Sequence, residues 1–324
     1  MTSVVQRMNA STFSCQQCGA TLAFAGVRTE TCPYCASPNF VERPPSSGQP
    51  DPAFVVAFTG DASVARRRLA DWVGSRSIFC DSALRHAKVE DLRGVYLPGY
   101  LYSAVARTEY SAQIGEHYKE TETYEETDKE GKQVTKTRTV TRTEYRPLSG
   151  RHVGYVTDVI VSASAGLSNR ELSYLEPFDL QQLRRFSPAL ISGWITEEFS
   201  RTADDCMRAS RAAAVDDVGT RLRRFMPGDS YSDLTWRTTV DWESLDPVLV
   251  PVWVLAVRYR GDKPALRVVI NGQTGRVHGK APIAWWKVGI AIAIAVAIAV
   301  AVILAARSKE PEPEPPPVHL AEAR

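Results

Sequence analysis

Two cysteine pairs at fixed spacing, Cys15-Gln16-Gln17-Cys18 and Cys32-Pro33-Tyr34-Cys35, constrain this chain more than any other feature. Two thiolates held two residues apart on a tight turn can both reach one tetrahedral ion, and a second such knuckle completes a four-sulfur shell with bonds of about 2.3 Å. Gly19 lets the first knuckle turn tightly. The thirteen residues 19–31 include Leu22, Phe24 and Val27, enough apolar surface for a short hairpin that brings the knuckles together. The spacing therefore predicts a structural zinc ribbon over 12–42, with Cys15, Cys18, Cys32 and Cys35 as ligands of one Zn2+. The alternative, two disulfides, needs an oxidising compartment, and the sequence offers no secretory signal. Four sulfurs leave no open position for a catalytic water. Cys80 and Cys206, far from the ribbon and set among apolar residues, read as buried inert thiols.

The second constraint lies at 288–306, nineteen residues of Ile, Val, Ala, Leu and one Gly. A helix of that length rises about 1.5 Å per residue and crosses a hydrocarbon core of about 30 Å. The alternation of Ile or Val with Ala would suit a strand, but a lone strand in lipid leaves its amides unpaired, so a helix is expected. Trp285, Trp286 and Lys287 mark one interface, and Arg307 and Lys309 the other. These observations predict a single-pass tail anchor at 285–306 in the cell membrane. The ribbon's need for reduced thiols and the basic residues Arg276, Lys280 and Lys287 before the span predict a cytoplasmic N-terminal body.

Between these landmarks, the proline-rich 43–52 reads as a linker, and 307–324 as an acidic proline-rich tail. The remaining body, 53–284, reads as α+β and rich in strands. Asp61 caps a helix with Ala65, Leu69, Trp72 and Val73 on one face, and Arg66, Arg67 and Arg68 form a solvated side. A second amphipathic helix runs from about Thr202 to Phe225, its stripe being Met207, Ala214, Val218, Leu222 and Phe225, with Pro227-Gly228 as the stop. Each helix precedes a similar apolar strand, Val95-Tyr96-Leu97-Pro98 and Val248-Leu249-Val250-Pro251-Val252-Trp253, which suggests a diverged internal duplication. Pro98 is expected at an edge or a bulge.

At 118–146 the sequence alternates with period two, Thr121 and Thr123 among glutamates in one arm and Thr135 to Thr143 among Lys136, Arg138 and Arg142 in the other. A three-residue loop at Lys129-Glu130-Gly131 places Glu122 opposite Arg138, Thr123 opposite Thr137 and Thr121 opposite Thr139. The acidic arm then neutralises the basic one.

No catalytic constellation accompanies these elements, and the chain is expected not to be an enzyme. Gly275-Arg276-Val277-His278-Gly279-Lys280-Ala281 is one residue short of a phosphate loop and ends on Ala. Ser164 lacks the first glycine of a nucleophile elbow, and no histidines pair at metal spacing. The adjacent acids Glu197-Glu198, Asp204-Asp205 and Asp216-Asp217 read as surface or capping residues. A net charge of +2 gives no argument for nucleic acid.

The ribbon, Gly94-Val95-Tyr96-Leu97-Pro98, Arg146-Pro147-Leu148-Ser149-Gly150, Leu175-Glu176-Pro177-Phe178-Asp179-Leu180, Val250-Pro251-Val252-Trp253 and Val269-Ile270-Asn271-Gly272-Gln273-Thr274-Gly275 together resemble a family of bacterial zinc-ribbon proteins, labelled transcription-factor-IIB-type or primosomal helicase-like. The resemblance spans most of 12–285 and implies zinc at the four cysteines with no established activity. The phosphate loop that a helicase needs is missing. The expectation is a membrane-tethered adaptor or assembly factor for a protein partner, with a membrane-associated nucleic-acid-binding protein as the alternative.

Overall fold

The structure is a computed structural model and describes residues 11–24, 31–44, 46, 48–76, 78–86, 92–127, 133–257, 259 and 265–307. Val27, the loop Lys129-Glu130-Gly131 and the acidic tail beyond 307 lie outside these residues. The architecture is α+β and dominated by strands.

Three very long strands form its axis: β5 (Arg93–Thr127), β6 (Gln133–Ser162) and β9 (Ser230–Val257). β5 pairs antiparallel with β6 on one side and β9 on the other. The remaining strands are β1 (Ser11–Cys15), β2 (Thr21–Phe24), β3 (Phe40–Arg43), β4 (Phe54–Val56), β7 (Leu183–Arg185), β8 (Ile195–Glu197), β10 (Leu266–Asn271) and β11 (Val277–Gly279). They continue the same sheet in the order β11-β10-β9-β5-β8-β2-β1-β3, with β4 beside β9 and β7 beside β4. The strands of the cysteine-bearing segment thus join the body by backbone pairing, Leu22 facing Glu197 across β2 and β8.

The two similar apolar stretches lie side by side as antiparallel neighbours, Tyr96 opposite Pro251 and Pro98 opposite Leu249. Both are buried on both faces, which is why they read as continuous apolar runs. Val250, Val252 and Val254 pack with Val95, Leu97 and the knuckle residues Cys15, Cys32 and Tyr34. Trp253 and Leu255 pack on the opposite side with Ala65, Leu69 and Trp72 of α1 (Ala62–Gly74), the helix capped as expected by Asp61.

Pro98 stands in this central strand, contrary to the edge or bulge expected of it. Its lack of an N–H is tolerated because the partner on that side changes there, from β8 at Val95 and Tyr96 to β6 from Gly99 onward. Pro251 occupies the equivalent switch in β9, between β4 at Val248 and Leu249 and β10 from Val252. Both proline carbonyls still accept, from Ala163 N–H at 3.0 Å and Gly272 N–H at 2.9 Å.

Helix α2 (Asn169–Leu175) carries a capping box at Ser168 and Glu171. Helix α3 (Ala203–Phe225) covers one face of the long sheet. Its buried stripe is Cys206, Ser210, Ala214, Val218 and Leu222, whereas Phe225 is 61% exposed. Gly219 is buried beside this stripe, and Phe225 is the last residue of the helix, past the end of the covered face. A bulge in β9 turns Glu243 toward this helix, where it accepts from Arg211 at 2.6 Å and from the Tyr102 hydroxyl at 2.8 Å.

β9 ends against β5 at Gly115, and the β5–β6 hairpin continues alone to Thr127 and Gln133. At about 3.4 Å per residue this two-stranded ribbon projects on the order of 40 Å. Its register is the expected one, with Thr121, Glu122 and Thr123 facing Thr139, Arg138 and Thr137. On the charged face Lys136 meets Glu126 at 2.8 Å, Arg138 meets Glu122 at 3.0 Å, and Arg142 meets both Glu120 and Glu122.

Helix α4 (Trp285–Arg307) is long and apolar enough to cross a membrane, with a mean hydropathy of 2.8 and none of its apolar window buried.

Candidate metal centre

The two knuckles are built by one backbone pattern. In the first, Cys15 N–H donates to Ala20 O at 2.9 Å and Gly19 N–H to Cys15 O at 3.0 Å. In the second, Cys32 N–H donates to Ser37 O and Ala36 N–H to Cys32 O, each at 2.8 Å. The closing residue adopts a left-handed backbone in both, with φ of +76° at Gly19 and +57° at Ala36. Gly19 was legible in the sequence. Ala36 was not, because alanine carries no signature of a conformation that disfavours it.

All four expected ligands come together, their sulfurs within 4.8 Å of one another. The closest approaches cross between knuckles, Cys15 to Cys35 at 3.6 Å and Cys18 to Cys32 at 3.7 Å. A tetrahedron with 2.3 Å bonds has sulfur–sulfur edges of about 3.8 Å, so the group has the dimensions of a closed four-sulfur shell and could hold a metal ion. All six cysteines are free. Cys15 and Cys32 are buried, and Cys18 and Cys35 half-buried. The Cys32 thiol beside Cys18 draws Cys18 down to about 5, while that same contact pushes Cys32 up, and burial pushes Cys35 up to about 11. A metal entering this group displaces the remaining protons. Cys80 and Cys206 lie elsewhere, both buried, their sulfurs directed at backbone carbonyls.

What holds the second knuckle to the body is a buried carboxylate that sequence reasoning placed at the surface. Glu197 is 1% exposed and Glu198 5%, a correction to the surface or capping role expected of both. Glu197 Oε2 accepts from the Tyr34 hydroxyl at 2.7 Å, and Oε1 from Ser164 Oγ at 2.7 Å and from the N–H groups of Ala165 and Gly166 at 3.1 Å each. Burial pushes the Glu197 carboxyl above its usual range and does the same to the Tyr34 phenol. Gly166 lies flat on the Tyr34 ring, where a Cβ would come within 2.9 Å. Glu198, the residue just past the end of β8, donates its N–H to Thr21 O at 2.8 Å, and its carboxylate accepts from Thr12 at 3.4 Å and Ser46 at 2.9 Å. The two adjacent acids thus engage different partners, Glu197 the second knuckle and Glu198 the strand that leads into the first. The other acidic pairs behave as expected: Asp205 engages the Thr202 cap of α3, and Asp217 pairs with Arg221 at 2.7 Å on its surface.

The chain is similar to the uncharacterized protein YdjG of Bacillus subtilis (strain 168). The two are 23% identical over 246 residues, 75% of this chain and 67% of YdjG. No family model matches the chain, and no solved structure matches it. The near phosphate loop at 275–281 is a turn followed by β11, with Arg276 directed to the backbone carbonyl of Glu176.

Proposed function

We propose that this protein is a membrane-tethered zinc-ribbon protein that acts without catalysis, as an adaptor or assembly factor for a protein partner. The observation that carries this reading is the projecting ribbon, exposed along both arms and fixed at its base to the sheet that also bears the cysteine centre. A solvated two-stranded element of this length contributes little to the core, so its value lies in what it can reach. Zinc is the metal favoured by four thiolates at ribbon spacing, and its role is structural because the shell is closed. Helix α4 serves as the single-pass anchor, and reduced thiols favour a cytoplasmic body. Nucleic acid is the weaker partner because the basic arm already faces Glu120, Glu122 and Glu126. The order β6-β5-β9-β10, with a switch-point proline in each central strand, supports reading the body as a diverged duplication.

A photo-crosslinking residue at Tyr124, in full-length protein in its native membrane, tests the adaptor role. One discrete protein adduct, suppressed by an excess of the protein without the crosslinker, is expected; adducts to nucleic acid alone would refute it. Metal analysis of protein purified with reductant should give one zinc per chain, unchanged by Cys80→Ser and Cys206→Ser. Less than half an equivalent would refute the ribbon. A reporter cysteine near Ala321 should react with an impermeant thiol reagent in intact cells, and an N-terminal one should not.

A further inference from the structure

The start of α4 is bound to the body rather than joined to it by a free stalk. Cys80 and Ile283 form a β-bridge. Around it, Asp81 N–H donates to Pro282 O at 2.9 Å and Ala284 N–H to Phe79 O at 2.8 Å. Lys287, the third residue of the helix, donates its ammonium to Ile78 O at 3.1 Å and Cys80 O at 2.9 Å. An ammonium in the first turn of an apolar helix would ordinarily extend toward headgroups. Here it satisfies two carbonyls of a segment some two hundred residues earlier in the chain.

That segment is apolar where it meets the helix. Ile78 is 74% exposed and Ile283 54%, beside Trp285 at 73% and Trp286 at 63%. Isolated exposed apolar residues need no explanation, but these four come from two chain segments fastened together and run directly into the apolar window of α4. Arg76 and Lys280 flank them in sequence, the arrangement of an interfacial belt with basic neighbours.

We infer that the loop around Ile78, with Ile283 and the two tryptophans, forms a collar inserted in the bilayer interface, so that the folded body sits on the membrane in a fixed orientation. The occupant of this surface is lipid. The inference rests on the reading of α4 as a membrane span and adds a second, non-helical contact. Lys287 and the β-bridge hold the loop beside the first turn of the helix, at the end where the span enters lipid on this reading.

The experiment places an environment-sensitive fluorescent amino acid at Ile78, Ile283, Ile294 or Tyr124 of the full chain, reconstituted in phosphatidylcholine–phosphatidylglycerol vesicles. Nitroxide lipids report contact with the bilayer, and aqueous iodide reports exposure to water. Positions 78 and 283 should both be quenched by shallow nitroxides and shielded from iodide, 294 by deep nitroxides, and 124 by iodide alone. Iodide quenching at 78 and 283 with lipid quenching at 294 would overturn the collar and leave the span standing. Iodide quenching at 294 would instead overturn the span. Lys287→Met removes the side-chain part of the tether and leaves the backbone bridge, so lipid quenching at position 78 should weaken while that at 294 is kept. Unchanged quenching at 78 in that variant would refute the tethering role of Lys287.

Discussion

Replacing Glu197 tests how the second knuckle is held. Its carboxylate takes four hydrogen bonds in a fully buried setting: Tyr34, Ser164, Ala165 and Gly166. Glu197→Ala leaves two hydroxyls and two amides without a partner. Each buried orphan costs about 1 to 3 kcal/mol, but the hydroxyls can rotate toward other acceptors, so the two amides set the floor. We expect a loss of about 3 to 5 kcal/mol, a large part of the roughly 5 to 15 kcal/mol that stabilises a folded domain. Glu197→Gln keeps an amide oxygen for Ser164, Ala165 and Gly166, and its NH2 can donate to the Tyr34 hydroxyl, which then acts as acceptor. Charge assistance is lost and the Tyr34 O–H must turn to another acceptor, together about 1 to 2 kcal/mol. Metal release to a chromogenic chelator reads this locally, because Tyr34 lies between Cys32 and Cys35. If release requires undocking of the knuckle, each 1.4 kcal/mol speeds it about tenfold, so Ala should exceed Gln by about fivefold to several hundredfold. Equal release from both variants, with native far-ultraviolet circular dichroism, would refute the docking role of Glu197.

Glu176 is half-buried, and burial, reinforced by the nearby Asp158 charge, raises its carboxyl from 4.5 to about 7. A raised carboxyl favours the protonated fold, so its stabilisation is complete below pH 4.5 and disappears as pH rises through 7. The rise corresponds to about 3.4 kcal/mol, reduced by solvent screening to about 1 to 2; Glu176→Gln should flatten the pH profile of thermal unfolding between 5 and 8, and an unchanged slope would exclude this group as its source. Gly19→Ala has room, its nearest neighbour being Ala165 Cβ at 4.0 Å, so the cost is conformational alone, about 1 to 2 kcal/mol. Ala36→Gly should be neutral or stabilising in the same unfolding assay, and a loss equal to that of Gly19→Ala would contradict the shared knuckle geometry. Changing Glu120, Glu122 and Glu126 to Gln should raise non-specific DNA affinity at physiological salt while leaving the melting temperature nearly unchanged. Submicromolar binding by the unaltered protein, with a steep salt slope abolished by neutralising Lys136, Arg138 and Arg142, would instead promote nucleic acid to the leading partner.

The elements legible in the sequence are those whose cause is local. Cysteine spacing within each knuckle is a matter of four residues, and the ribbon register follows from one turn and the two-residue period of its arms, so Glu122 could be set opposite Arg138 before any tertiary contact was known. The unbroken apolar run of α4 likewise carries its own length argument. Tertiary structure decided the rest. Pro98 could lie inside a sheet only because β8 ends and β6 begins beside it, a coincidence of strands roughly sixty to a hundred residues away in the chain. Glu197 could be buried only because Tyr34, Ser164 and the 165–166 amides converge on it from two other segments, and a carboxylate in isolation belongs in water. Periodicity identified the amphipathic helices, yet the sheet they cover ends where it ends, which left Phe225 in solvent at the close of an otherwise buried stripe.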